Sequence, residues 1–225
     1  MENLTPDMAA SIADLLIFDL DGTILDSMDL WNRVDIAFLS KRGFQVTEEY
    51  TDIVKSRSME DAAVYTKEAF GLRESPEEIM DEWNTMVGYA YAKEVALKPG
   101  VMEYLERASS LGLKLAFATA LAKEHAYNAL SNNGILNMFE CGKTLEDVGK
   151  KTDKRDPFIY LSITQRLNIP PRRTIVYEDV PAALEGARKG GFITCCVYDS
   201  IGSGDLRTWE DMKSSSHHSV KSWQI

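Results

Sequence analysis

Histidine is almost missing from this 225-residue chain, which holds only His125, His217 and His218. The last two fall in a Ser-rich tail from Lys213 that reads as a frayed, solvated terminus rather than a metal site. His125 falls mid-helix, where a surface position is expected. Acid–base chemistry built on imidazole therefore has no good candidate. Cysteine is equally scarce. Cys141, Cys195 and Cys196 are odd in number and two are adjacent, so no disulfide framework is expected and a reducing, cytoplasmic setting follows. No apolar run approaches the length of a membrane span. Residues Met1–Asp7 are acidic with no basic n-region, so neither a membrane nor a signal peptide is expected. Positive charge is in deficit: 25 Lys and Arg against 35 Asp and Glu give a net charge of −10. A nucleic-acid polymer needs a basic face and is disfavoured as a partner. A small phosphate ester is not, because a metal and one Lys can reverse the local field.

Acids at the ends of apolar runs are what the chain does have. Leu15-Leu16-Ile17-Phe18 leads straight into Asp19-Leu20-Asp21-Gly22-Thr23. Lacking polar alternation, the run reads as a strand buried on both faces. Asp19 then sits at its C-terminal end, with Asp21 in the loop beyond, at the edge where open parallel sheets bind ligands. Gly22 suits a turn in which a Cβ would clash. Two close carboxylates repel unless a cation lies between them or one is protonated. Mg²⁺ is the obvious cation, since it prefers oxygen ligands and takes one or two carboxylates plus substrate phosphate. An ionised Asp can also attack phosphorus. The alternative is that Asp-Gly-Thr is only a turn. Four specified positions at roughly 5–7% usage each match by chance about 10⁻⁵ per start, which weighs against it.

Residues 27–95 read as helices alone. Ser27–Arg42 carries apolar residues at Leu30, Trp31, Val34, Ala37 and Phe38 and stops at Gly43. A shorter helix covers Thr47–Lys55, and Ser58–Phe70 has a Ser cap and a Gly71 stop. Ser75-Pro76-Glu77-Glu78 opens a helix to about Lys93, with Ile79, Met80, Trp83, Met86, Val87 and Ala90 at core spacing. That stripe reads as a bundle core, not a cofactor box. From Lys98-Pro99-Gly100 onward, after a helix ending at Gly112, strands and helices alternate. The sequence predicts strand Leu113–Ala118 ending in Thr119, helix 122–133, a weak strand near Met138–Cys141 and helix 157–167. Strand Arg173–Tyr177 then ends in Glu178-Asp179, and helix Pro181–Lys189 precedes a last strand, Phe192–Tyr198. Such alternation predicts an α/β fold with a doubly wound parallel sheet. The expected domains are 1–26 with 96–225, and an inserted helical block, 27–95.

Asp19-Leu20-Asp21-Gly22-Thr23, with Leu25-Asp26-Ser27 behind it, resembles motif I of the haloacid dehalogenase (HAD) superfamily. The resemblance implies a Rossmann-like core, a nucleophile at Asp19 and a general acid/base at Asp21. The dehalogenases lack the second Asp, so its presence implies phosphoryl transfer. Residues 14–200, roughly, are covered by the likeness. Thr119 matches the Ser/Thr of motif II, where a hydroxyl and backbone N–H hold a phosphoryl oxygen; a helix N-cap is the alternative. Ala120 stands where the family often has another small polar residue. Val176–Phe192 resembles motif IV, which assigns Asp179 to Mg²⁺ and Glu178 to Mg²⁺ or its waters; a helix-capping Asp is the alternative. Val180 stands where relatives commonly carry Ser. Lys154-Arg155-Asp156-Pro157 keeps the Lys-to-Pro spacing of motif III but lacks its first Pro and its Asp. Lys154 is the candidate to neutralise Asp19 and a phosphoryl oxygen. Lys150 and Lys151 are its rivals, and a solvated loop charge is the alternative reading of each.

In this family the place of the helical block holds a C1-type cap, and the span Thr119–Asp153 is too short for a second cap. Lys55-Ser56-Arg57-Ser58 in the block reads as a substrate loop or, equally, as a helix cap with surface charge. The resemblance implies a Mg²⁺-dependent phosphatase similar to the phosphoglycolate phosphatase and β-phosphoglucomutase branch. It would act on a small phosphorylated metabolite through an aspartyl-phosphate. Mg²⁺ would be held by Asp19, the backbone carbonyl of Asp21, and Asp179. A sugar-phosphate mutase and a non-catalytic binding or regulatory protein are the alternatives. A monomer or weak dimer is expected.

Overall fold

The apolar run Leu15–Phe18 forms β1, with all four side chains buried, in a computed structural model that describes residues 3–55, 57–149, 153–201 and 206–224. The chain divides into two compact units, Met1–Met28 with Val95–Ile225, and Asp29–Glu94. The first unit adds β2 (Lys114–Thr119), β3 (Cys141–Thr144), β4 (Thr174–Glu178), β5 (Ile193–Val197) and β6 (His218–Val220). These form one all-parallel sheet of order β3-β2-β1-β4-β5-β6. Its helices are α1 (Pro6–Ile12), α6 (Val101–Ser110), α7 (Lys123–Asn132), α8 (Leu145–Val148), α9 (Phe158–Leu167), α10 (Pro181–Lys189) and α11 (Leu206–Ser215); α2–α5 belong to the second unit. Phe18 lies level with Phe117 of β2 and Tyr177 of β4. The strand order reverses beside β1, so a crevice opens beyond the carboxyl ends of β1 and β4.

Alternate residues of β1 and β4 face opposite ways. On one face Leu15, Ile17, Ala116, Ala118 and Val176 pack against Ile159, Tyr160 and Ile163 of α9 and Ala187 of α10. On the other, the Phe18 and Tyr177 rings stack at 4.6 Å. Tyr104 of α6 and Trp223 close over Tyr177 at 6.1 and 5.7 Å between ring centres. Each such side chain, fully buried, contributes about 1.5–3 kcal/mol. The sheet edge that carries charge thus rests on a dense apolar base.

Three sequence expectations fail here. The weak strand expected near Met138–Cys141 starts later: Leu136–Met138 is a single 3₁₀ turn, and β3 begins at Cys141. As an edge strand pairing only with β2, β3 needs little apolar pattern, and its Cys-Gly-Lys-Thr run shows none. The tail from Lys213 is not a frayed terminus. The end of α11 runs through it, and β6 pairs with β5 in parallel. His217 Nδ1 accepts from the Thr194 backbone N–H at 3.1 Å, and Trp223 is 3% exposed. Backbone pairing and two apolar anchors, Val220 and Trp223, hold a segment whose composition reads as solvent-loving. His125 is half-buried on α7 rather than at the surface.

The second unit is built of α2 (Leu30–Ser40), α3 (Glu48–Lys55), α4 (Met59–Phe70) and α5 (Pro76–Lys93). Ser58 caps α4 by accepting from the Asp61 N–H, and Gly71 ends it at φ 60°. Ser75 and Glu78 form a full capping box on α5. Ile79, Trp83, Val87 and Ala90 are buried as the spacing predicts. On α2 the buried stripe is Leu30, Val34, Asp35, Phe38 and Leu39, whereas Trp31 and Ala37 are exposed. The stripe is rotated by about one residue from the periodicity reading, because Asp35 occupies an inward position. The Tyr50 hydroxyl lies 3.4 Å from Asp35 Oδ1 and 2.9 Å from Thr66 Oγ1.

Burial raises the Asp35 carboxyl to about 6, against the opposing pull of the Tyr50 hydrogen bond. The folded state therefore holds the proton more tightly than the unfolded chain. The destabilisation is absent below about pH 4, grows as pH rises, and is complete above about pH 6. Asp35→Asn is expected to raise the melting temperature by about 2–4 °C near neutral pH and to leave it unchanged near pH 4. Thermal unfolding at the two pH values checks this; an equal shift at both would remove ionisation from the account.

Candidate active site

The chain leaves β1 at Asp19, whose N–H still donates to the Tyr177 carbonyl at 3.0 Å. It then folds into a tight loop in which the Leu20 carbonyl accepts from the N–H groups of Thr23, Ile24 and Leu25 at 3.2, 3.0 and 2.9 Å. Gly22 sits in this loop at φ 71°, and a Cβ there would overlap the Asp179 carboxylate. The position thus demands glycine twice over, for its conformation and for the approach of β4's acidic end. The loop is held from outside as well. Lys98 Nζ donates to the Gly22 carbonyl. The Lys98 N–H donates to the Ile24 carbonyl at 2.9 Å.

The strand ends bring Asp19, Glu178 and Asp179 together. One carboxylate oxygen from each lies within 4.8 Å of the other two, and all three residues are buried. Thr23 bridges the strands: its hydroxyl is 3.4 Å from Asp19 Oδ2 and 3.2 Å from Asp179 Oδ1. Lys154, just before α9, places Nζ 2.5 Å from both Asp19 Oδ1 and Glu178 Oε1. Its backbone reaches there because Gly186 on α10 has no Cβ to collide with the Lys154 carbonyl. Tyr160 on α9 donates to Glu178 Oε1 at 2.9 Å. Lys150 and Lys151 lie outside the described residues.

Charge and burial pull against each other at this cluster. Burial raises the Glu178 carboxyl; Lys154 pulls it back and Asp19 pushes it further up. Burial and then the Asp19 charge raise Asp179. For Lys154, burial works against the ammonium, but Asp19 and Glu178 outweigh it and hold the proton more firmly than usual. One ammonium thus faces three carboxylates. Glu178 Oε2 and Asp179 Oδ2 are buried with no hydrogen-bond partner. Buried polar oxygens of this kind are costly unless something satisfies them. All-oxygen donors with surplus negative charge fit a hard divalent cation such as Mg²⁺.

The other sequence candidates lie around this cluster. Asp21 is half-buried, and Ser27 donates to its Oδ1 at 2.6 Å. Thr119 ends β2, on the strand next to β1, and its Oγ1 accepts from the Leu121 N–H at 3.1 Å. It is not the N-cap of α7, a place Ala122 fills without a side-chain bond. Ala120 and Val180 are exposed. In the second unit, Arg57 lies 4.6 Å from the centre of the Tyr65 ring, and Ser56 is outside the described residues.

Sequence reading missed three supporting groups: Tyr160, Lys98 and Asp199. Lys98 Nζ lies 2.7 Å from Asp199 Oδ2, both nearly buried, and 3.4 Å from the Tyr198 carbonyl. Asp199 follows the apolar strand β5 and its extension Tyr198, the same acid-after-strand signal that picks out Asp19 and Glu178-Asp179. Tyr160 gives no such signal, because a Tyr at core spacing reads as packing.

A model of the haloacid dehalogenase-like hydrolase family matches residues 16–197. A Thermotoga maritima protein named phosphorylated carbohydrates phosphatase is 26% identical over 178 residues, 79% of this chain and 82% of that protein. A validoxylamine A 7'-phosphate phosphatase from Streptomyces hygroscopicus subsp. limoneus is 28% identical over 182 residues, 80% of this chain and 83% of that one. A Thermotoga maritima crystal structure, provisionally named a beta-phosphoglucomutase, superposes with a TM-score of 0.81 at 25% identity, covering 92% of this chain and 94% of its own.

The Lys154 geometry makes a prediction independent of turnover. Lys154→Met leaves Asp19 and Glu178 buried without their counter-charge, and is expected to cost about 3 kcal/mol of stability at neutral pH. Lys189→Met, at an exposed side chain on α10, is expected to cost no more than about 0.5 kcal/mol, as for a surface substitution. Urea unfolding of both variants checks this, and equal losses would undo the placement of Lys154.

Proposed function

The chain belongs to the haloacid dehalogenase-like hydrolase family and is a phosphoric monoester hydrolase, and from that premise we propose that it hydrolyses a small phosphorylated sugar through an aspartyl-phosphate on Asp19. The observation that carries this reading is the cluster of Asp19, Glu178 and Asp179 at the switch point of the sheet, with Lys154 set between Asp19 and Glu178. The relative named a phosphorylated carbohydrates phosphatase supports the substrate class, and the one named a validoxylamine A 7'-phosphate phosphatase supports phosphate-ester hydrolysis.

In the first half-reaction an Asp19 carboxylate oxygen attacks phosphorus. The phosphorus–ester oxygen bond breaks, and Asp21 protonates the departing alcohol. In the second, Asp21 takes a proton from water, the hydroxide oxygen attacks phosphorus, and the bond to Asp19 breaks to release inorganic phosphate and restore both acids. Lys154 holds Asp19 in place and offers charge to a phosphoryl oxygen, and Thr119 offers a hydroxyl and the following backbone N–H. Asp19, the Asp21 carbonyl and Asp179 would hold Mg²⁺, with Glu178 on the ion or its waters; when bound, it supplies positive charge against the phosphoryl oxygens. The Asp29–Glu94 unit is proposed as the cap that selects the substrate. Cys141, Cys195 and Cys196 are free, and a reducing, cytoplasmic setting is part of the proposal. Among the described residues no helix is long and apolar enough to cross a membrane.

The likeness to the provisionally named phosphoglucomutase favours one second reading, a sugar-phosphate mutase on the same site. A panel of phosphate esters with Mg²⁺ separates the two. Phosphate release from sugar phosphates, abolished by EDTA and by Asp19→Asn, is the expected result. Interconversion without release would support the mutase, and silence on every ester would support a binding protein.

Asp21→Asn is expected to accept a phosphoryl group from an ester with a good leaving group and then to lose it slowly, by about 10²-fold or more. Rapid-quench labelling reads the phospho-enzyme. Failure of any label to accumulate would remove Asp21 from the second half-reaction as its base.

A further inference from the structure

The loop Leu20–Leu25 carries Asp21, and its Thr23 hydroxyl joins Asp19 to Asp179. Its outward carbonyls need donors from elsewhere in the fold. Lys98 supplies them to Gly22 and Ile24. The carbonyl between them, that of Thr23, accepts instead from the indole N–H of Trp223 at 3.1 Å, in a buried contact between residues 200 positions apart.

Trp223 is held among three aromatic rings. Its ring centre lies 4.8 Å from Tyr104, 5.7 Å from Tyr177 and 6.0 Å from Phe18. Phe18 and Tyr177 are the residues immediately before Asp19 and Glu178. The Tyr104 and Tyr177 hydroxyls are 2.8 Å apart, and Tyr104 donates to the Leu4 carbonyl at 3.1 Å. The Trp223 backbone lies against Gly100, held at φ 90°, where any Cβ would collide with it. Upstream, β6 ties the segment to β5 through Cys195–Val197.

We propose that Trp223 is a positioning residue, and that residues 218–224 form a strap whose indole N–H sets the loop that carries Asp21 and the Thr23 bridge. The carbonyl and the bridging hydroxyl belong to one residue with no exposed atoms to relax. A loop that loses the Trp223 bond therefore loosens the Asp19–Asp179 spacing. The effect falls on the affinity for Mg²⁺ and on the chemical step, not on capture of the sugar. This deepens the phosphatase reading and rests on it for the metal, whereas the hold on the loop stands on the geometry alone.

The test compares Trp223→Phe with Trp209→Phe, a matched loss of a buried indole in a separate cluster with Leu184, Cys196 and Met212. Backbone amide exchange at Thr23, Ile24 and Leu25 is followed first, without metal or substrate. Trp223→Phe is expected to speed it about tenfold, the size of one buried acceptor left without a partner, and Trp209→Phe to leave it at the wild-type rate. Calorimetry with Mg²⁺ alone should then show the dissociation constant raised by a similar factor in Trp223→Phe only, with kcat lowered and KM for the ester unchanged. Equal exchange in the two variants overturns the strap. Faster exchange with unaltered Mg²⁺ affinity and kcat overturns its link to the site. Should wild type itself take up no Mg²⁺, the metal reading fails while the exchange result still decides the strap. Gly100→Ala, which displaces the strap and keeps the indole, is expected to reproduce the faster exchange if Trp223→Phe does not fold.

Discussion

Mutual repulsion among Asp19, Glu178 and Asp179 is the constraint that the rest of the molecule answers. Two unit charges 4.8 Å apart repel by roughly 3 kcal/mol at an effective dielectric near 20. Three such pairs, less what one ammonium returns, would drive these chain segments apart if they were free to move. They are not. β1 and β4 are buried along their whole lengths, and the Phe18–Tyr177 stack locks them side by side directly beneath the acids. The apolar base is what makes the charged edge possible. It is also why the strands read as unbroken hydrophobic runs and not as alternating ones.

The same constraint explains the backbone around Asp19. Acids at the end of a straight strand would fan outward, but the Leu20 carbonyl gathers three successive N–H groups and turns the chain back within five residues. Gly22 removes the one atom that would strike Asp179. Gly186 does the same service for the approach of Lys154. Two glycines on different elements therefore have one purpose, to let the charged groups of the site approach at short range. A Cβ at either would act through steric overlap, to which Gly22 at φ 71° adds backbone strain.

Much of this was legible in the sequence, for a reason that can be named. Acids that end an apolar strand contradict the run before them, and the contradiction marks Asp19 and Glu178-Asp179. Helix starts were equally readable where chemistry is local: the Ser75–Glu78 capping box and the Ser58 cap need only four residues to form. What escaped was chemistry whose partner is remote. Asp35 looks like a surface acid on α2 until Tyr50 is brought to it. Trp223 looks like a stray aromatic in a polar tail until it meets Thr23, and nothing near it in the chain announces that. Lys98 looks like a loop charge before a Pro-Gly turn. The tail expectation failed because edge strands are held by backbone pairing, which leaves little trace in composition.

A net charge of −10 is at first sight wrong for a protein proposed to take an anionic ester. Screening reduces the question to the groups within about 8–10 Å of the site, because charges beyond a Debye length act weakly. Lys154 and Lys98 lie close to it, and both are engaged: Lys154 with Asp19 and Glu178, Lys98 with Asp199 and the Gly22 carbonyl. Neither leaves a positive charge without a counter-ion. A phosphate dianion brought to these residues alone would meet more negative charge than positive. The partnerless oxygens of Glu178 and Asp179 point to what reverses the balance. A divalent cation held there would satisfy those oxygens and change the sign of the local field together, which is why the proposed chemistry and the electrostatics of the carboxylate cluster fit the same group.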